Sequence, residues 1–168
     1  KARLYITACG IYEARINGIK AGSFCLAPGI TDYTKRVQYQ TYDVSDLIKS
    51  GNNEITVELA DGWYRGSVGA WGIKQEYGYE TKFIAQLEIT YSDNTKNIIS
   101  TDSTWQWSND GPIRFADNKD GEIVDANKKP TYAGKAKLTS HNVTPTASNN
   151  VDVVEKERFK PEIITTPR

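Results

Sequence analysis

The chain has 168 residues and no formal net charge, which is enough length for one domain with a real core. The balanced charge leaves no basic footprint for a nucleic acid or an anionic membrane. Aromatic residues make up 11% of the sequence, with 10 Tyr and 4 Trp, more than a disordered chain carries. No apolar run approaches the ~18 residues of a membrane-spanning helix.

The chain opens Lys1-Ala2-Arg3 and runs straight into a strand pattern, with no signal-peptide composition and no Met anywhere. It reads as a piece of a longer protein. Residues 2–8 and 11–16 are strand-like, separated by Gly10. Asn17-Gly18 is a strong hairpin signal because both residues tolerate positive φ, and a short return strand runs through Lys20. Residues 27–34 are loop-like, broken by Pro28 and Gly29. Residues 37–44 alternate with period two. Ser45 is expected to cap one short helical turn over 46–49, stopped by Ser50-Gly51-Asn52.

Residues 53–59 form the next strand. The chain is organised around the end of that strand and the turn after it, Leu59-Ala60-Asp61-Gly62-Trp63-Tyr64-Arg65-Gly66. Asp61-Gly62 breaks the strand and supplies turn geometry. A long loop over 67–81 carries Trp71, Tyr77 and Tyr79 among glycines, and loops of this length are often functional. Residues 82–91 are a clear strand with Phe83, Ala85, Leu87 and Ile89 on one face. A turn at 92–95 leads to a return strand at 96–100, and Trp105–Trp107 is another short strand. Residues 108–125 are polar and rich in oxygen ligands. Weaker strands are expected at 135–138 and 150–154, with a loop at 142–150. The expected fold is all-β: an antiparallel β-sandwich of jelly-roll type with one short helical turn. Residues 1–158 would form the sandwich, and 159–168 a linker toward a following domain. Phe83, Leu87, Ile89, Val57, Leu59 and Trp105 are expected in the core.

The candidate chemistry divides three ways. Asp61, Asp117, Asp120, Glu122 and Asp125 could in principle supply a carboxylate pair for glycoside hydrolysis, but sequence gives no separation, and turn acids commonly cap turns. Asp61, Asn109, Asp110, Asp117, Asn118 and Asp120 offer the oxygens a hard cation such as Ca²⁺ prefers, although Gly121 sits one place too early for an EF-hand loop. Trp63, Tyr64, Trp71, Tyr77 and Tyr79 could form a sugar platform with Arg65 as a hydrogen-bonding fork, or else pack the core. Single His141 excludes a zinc cluster and most His-dependent nucleophilic catalysis. Cys9 and Cys25 make no disulfide framework, and a Cys9–Cys25 bridge stays open.

Several stretches together are distinctive: Ala2–Gly10 with Ile11-Tyr12-Glu13, Arg15-Ile16-Asn17-Gly18, Ala27-Pro28-Gly29-Ile30-Thr31-Asp32-Tyr33 and Arg36–Val44. To these are added Asp61-Gly62-Trp63-Tyr64-Arg65-Gly66, Gly111-Pro112-Ile113 and Asp120-Gly121-Glu122. In this order, over residues 2–126, the chain resembles the N-terminal β-sandwich domain of bacterial α-L-rhamnosidases, glycoside hydrolase family 78. It departs at Ile30, where Trp is frequent, at Val124, where Tyr is frequent, and at Asn127 in place of Arg. The resemblance implies a parent enzyme that removes terminal α-L-rhamnose with inversion, using acids in a separate (α/α)₆ barrel. The barrel is absent here, so this chain alone is expected not to be a catalyst. The implied partners are the catalytic domain of the same polypeptide and terminal L-rhamnose or a rhamnose-containing glycan. The related carbohydrate-binding module family 67 grips rhamnose with help from calcium. In that reading Trp63, Tyr64, Arg65 and Trp71 would hold the sugar, and Asp61, Asn109, Asp117 and Asn118 the ion. The alternative is a structural domain with no ligand of its own.

Overall fold

A computed structural model describes residues 1–148 and 162–165. The elements in chain order are β1 (Ala2–Cys9), β2 (Ile11–Ile16), β3 (Ile19–Lys20), β4 (Gln38–Asp43), a 3-10 turn (Ser45–Leu47) and β5 (Ile55–Ala60). Then come α1 (Gly62–Arg65), β6 (Lys82–Thr90), β7 (Lys96–Ser100), β8 (Gln106–Trp107), β9 (Ile113–Asp117) and β10 (Gly121–Val124). The last described strands are β11 (Gly134–Lys135), β12 (Lys137–Thr139), β13 (Thr146–Ala147) and β14 (Ile163–Thr165). The protein is all-β in its layers, as the alternating pattern predicts.

The main sheet runs β12-β14-β6-β1-β4-β13, with β7 also paired to β6. β1 lies between β4 and β6, antiparallel to both, and pairs with β6 from Ala2–Ile89 to Cys9–Lys82. That central place explains a strand apolar on nearly every residue. Ala2, Leu4, Ile6 and Ala8 face a second layer, the small sheet β3-β2-β5. Tyr12, Ala14 and Ile16 of β2 close on them, and Leu4, Ile6 and Ile16 lose all their solvent contact. Each such side chain contributes about 1.5–3 kcal/mol. The hairpin at Asn17-Gly18 forms as predicted, both residues at positive φ (52° and 80°).

Several expectations are corrected. Phe83 and Leu87 are buried, but Val57, Leu59, Ile89 and Trp105 are only partly covered, because the second layer ends at β5. Ser45 is the first residue of the 3-10 turn rather than its cap, and its N–H and hydroxyl both donate to Asp43 Oδ1. A second helical turn, α1, stands where a plain turn is predicted. β13 pairs with β4 in parallel, the one such pair among the described residues. The polar stretch 108–125 contains the β9–β10 hairpin. Cys9 and Cys25 are free thiols, the first buried and the second exposed, so the bridge does not form. Ile164 and Thr165 of β14 pair with Phe83 and Lys82 of β6. The expected strand at 150–154 and the boundary at 158 lie outside the described residues.

Candidate functional site

β5 ends at Ala60, and the chain turns at once into α1. Gly62 makes that turn with φ of 52°, where a Cβ would sit 2.8 Å from the backbone nitrogen of Ile11. No larger residue fits that approach without displacing β2. The helical turn then splays its side chains in different directions. Tyr64 turns inward and is 3% exposed. It meets Tyr33 edge-on at 5.3 Å, Tyr77 at 6.4 Å and the His141 ring at 6.2 Å, with Lys82 Nζ 5.9 Å from its centroid. Tyr33, Val37, Tyr64 and Cys9 form a second core cluster, with Trp63, Tyr77 and Val143 packed against it. Burial pushes the Cys9 thiol and the Tyr64 phenol up to about 12, so neither is a nucleophile or proton carrier near neutrality. Burial likewise lowers the His141 pKa, with its Nε2 placed 2.9 Å from the Tyr33 carbonyl.

Arg65 turns the other way. Its Nη2 pairs with Asp61 Oδ1 at 2.5 Å, one helical turn back, and both side chains are about a quarter exposed (27% and 26%).

Beyond the helix a clamp joins the long loop to the β9–β10 hairpin. Asp117 Oδ2 accepts the Ser67 N–H at 2.8 Å, and Oδ1 accepts the N–H groups of Lys119 (2.8 Å) and Asp120 (3.0 Å). Burial opposes the charge on Asp117, but these three donors and nearby Lys74 outweigh it and hold the carboxyl below its usual range. Gly66 makes room for the clamp, since a Cβ there would lie 2.6 Å from Asp117 Oδ2. Asp120 adds Lys74 Nζ at 2.9 Å and Ser67 Oγ at 3.0 Å, and those two bonds keep its carboxyl low. Lys119 Nζ donates to Gly69 O at 2.6 Å. Two backbone hydrogen bonds between Val68 and Ile73 then close a tight turn with Trp71 at its tip, 93% exposed.

On the other side of Arg65 lies an open cleft of about 2000 Å³. Its walls are β5, the β6–β7 side of the main sheet, β8 and the β9–β10 hairpin, with Leu59, Leu87, Ile89, Ile99, Trp107 and Phe115 among the apolar lining. Asp61, Arg65 and Asn109 also line it. A site for one small molecule occupies ~300–1,000 Å³, so this cleft is wider than a sugar pocket.

The structure therefore divides the residues expected to act together. Asp61, Arg65 and Asn109 share the cleft. Tyr64 and Trp63 belong to the second core cluster, as the packing alternative has it, and Trp71 stands alone at a loop tip. Asn118 is exposed in the β9–β10 turn, and Asp117 is spent on backbone donors. Asp110 is held by Arg114 at 2.8 Å and Lys128 at 2.9 Å. Calcium takes about six to eight oxygen ligands. Among the described residues no group of three or more His, Cys, Asp or Glu is placed to hold a metal, and Asp61 is committed to Arg65. The donor set as it stands does not fit the ion. Ser67, Lys74 and Lys119, the other half of the clamp, escape a reading of the sequence. The signal that could have found them is the Asp117-Asn118-Lys119-Asp120-Gly121 run, whose first Asp caps its own turn.

Comparison with known proteins gives a consistent result. Residues 1–166 match the family model described as the α-L-rhamnosidase N-terminal domain. An α-L-rhamnosidase of Streptomyces avermitilis is 48% identical over 129 residues, which is 77% of this chain and 12% of that protein. One from Formosa agariphila is 45% identical over 128 residues, 74% of this chain and 14% of its own length. The crystal structure of the Streptomyces avermitilis enzyme complexed with L-rhamnose superposes with a TM-score of 0.77 and 41% identity, covering 84% of this chain and 15% of that one. The Aspergillus terreus enzyme superposes with a TM-score of 0.73 and 44% identity, over 76% and 15%. The chain thus spans about an eighth to a seventh of these two curated relatives.

Proposed function

The chain belongs to the α-L-rhamnosidase N-terminal domain family, and from that premise we propose that it is a non-catalytic accessory domain of an α-L-rhamnosidase. Its work is to pack against the catalytic part of the same polypeptide. The observation that carries this reading is the cleft, whose width and apolar walls suit a protein surface better than one sugar. The carboxylates support it as well. Asp61, Asp110, Asp117 and Asp120 are each tied to a cation or a backbone donor, and none stands as a free acid facing a second carboxylate. Hydrolysis, with inversion, falls to the parent's catalytic domain. Deleting residues 1–166 from the parent enzyme is expected to lower its melting temperature and expose apolar surface to a dye. A parent that melts unchanged after the deletion would overturn the packing role.

A second reading has one observation of its own. Asp61 just before α1, Arg65 at its end and Asn109 from the loop after β8 reach the same cleft. Together they offer an anionic acceptor, a guanidinium fork and an amide, a set able to hold the hydroxyls of a terminal L-rhamnose at the cleft mouth. Such an exposed site should be weak, with a dissociation constant on the order of millimolar to tens of micromolar. Calorimetry with L-rhamnose should give saturable heat that Asn109→Ala removes and EDTA leaves unchanged. No heat in either buffer would leave the packing role standing alone.

A further inference from the structure

The second layer of the sandwich stops at β5, and the hydrogen-bond alternation says which of its backbone groups are left over. In β2 the Tyr12 N–H donates to Ala27 O at 2.8 Å, and the Ala14 carbonyl accepts the Ala21 N–H at 2.9 Å. Both point away from β5. In an antiparallel pair the bonding direction alternates residue by residue, so Ile11, Glu13 and Arg15 point toward β5. Their register partners are Ala60, Glu58 and Thr56, and the Asn17 N–H to Glu54 O bond at 2.9 Å continues the series. The N–H and C=O groups of Ile55, Val57 and Leu59 therefore point to the far edge, into the cleft. No strand among the described residues pairs with that edge. An open row of this kind beside an apolar floor is a template for another strand.

The chain itself shows where such a strand would enter. Thr165, the last described residue, donates its hydroxyl to the Thr81 carbonyl and lines the cleft. Thr81 and Ala60 lie against the same backbone, since a Cβ on Gly10 would be 3.2 Å from Thr81 Cγ2 and 2.6 Å from the Ala60 carbonyl oxygen. The polypeptide thus reaches the cleft at the Ala60 end of β5. In the Streptomyces avermitilis and Formosa agariphila relatives most of the chain lies outside this domain, so there is a segment to supply.

We propose that β5 is a strand-addition site. Its occupant is an extended segment of the parent α-L-rhamnosidase that comes after this domain, running antiparallel from Ala60 toward Ile55. Main-chain bonds to Ile55, Val57 and Leu59 hold it, and alternate apolar side chains rest on Leu87, Ile89 and Ile99. This rests on the reading that the chain is one domain of a longer enzyme. It deepens that reading by naming the edge that docks.

Hydrogen exchange, read residue by residue in the 168-residue chain and in the full-length parent, tests it. The Ile55, Val57 and Leu59 amides should exchange readily in the isolated chain and about 100-fold more slowly in the parent. Thr56 and Glu58, already bonded to β2, should change far less. Equal exchange of the three edge amides in both proteins overturns the proposal, and protection already complete in the isolated chain does so too. Protection in the isolated chain that grows with its concentration assigns the edge to a second copy and also overturns it. None of these failures touches the accessory role, which stands or falls on the deletion experiment.

Discussion

The two sides of α1 are finished differently. On one side Tyr64, Tyr33, Tyr77 and His141 close a corner with ring contacts, and Asp117 bolts the long loop to the β9–β10 hairpin. On the other side Arg65 and Asp61 face a cleft where Leu59 and Ile89 remain partly uncovered. Three consecutive residues, Trp63, Tyr64 and Arg65, serve both sides. An aromatic-rich turn at a strand end thus need not be a binding platform. Its aromatics here secure the corner, and the side left open is the one that can meet something else.

Substitutions should separate the two sides by the size of their effect. Tyr64→Ala leaves a void under three rings in the closed corner and should cost about 3–5 kcal/mol, read from chemical unfolding of the isolated chain. A cost near that of a surface change would mean that the corner is not packed as described.

Asp117→Asn should cost less, about 1–3 kcal/mol, because one acceptor survives while a donor replaces the other. This variant also carries a pH signature. The folded carboxyl sits below its ordinary value near 3.8, so its stabilisation is present above that pH and is lost as pH falls through the lower folded value. The wild-type chain should therefore weaken in acid below about pH 4, and Asp117→Asn should flatten that limb of the stability profile. An unchanged acid limb would show that the clamp does not form.

At the partly exposed ion pair and at the exposed loop tip the effects should be small. Arg65→Ala removes a partly exposed ion pair and should change stability by about 1 kcal/mol or less. Trp71→Ala touches a side chain that is almost wholly in solvent, and should stay within about 0.5 kcal/mol in the isolated chain. A larger loss at Trp71 would place that ring against the domain rather than away from it.

Much of the fold was legible because alternation writes the faces directly. Residues 82–91 predict their strand, and Asn17-Gly18 its hairpin, from local chemistry alone. The elements that escaped depend on partners far along the chain. β14 is three residues long and reads as a tail until Phe83 and Lys82 pair with it. β9 hides in a polar stretch because it is short and largely in solvent, so Ile113-Arg114-Phe115 is all the alternation that marks it. The incomplete cover of Val57 and Ile89 reflects how many strands the second layer has, which no window of sequence contains. At the site, Asp61 and Asn109 do share a cleft. Tyr64 and Asp117 carry the same residue types as a sugar platform and a cation ligand, yet are consumed by packing and by backbone donors. Residue type at a turn says what chemistry is available, and the neighbours decide what it is spent on.

The proposed accessory role requires that this domain assist an α-L-rhamnosidase without performing its chemistry. The direct measurement is release of the aryl alcohol from an aryl α-L-rhamnoside by the purified 168-residue chain at high concentration, between about pH 4 and pH 8. Release should be no faster than in buffer, since Asp61, Asp117 and Asp120 are each tied to a cation or to backbone donors. Turnover that a single Asp61→Asn or Asp120→Asn change abolished would contradict it.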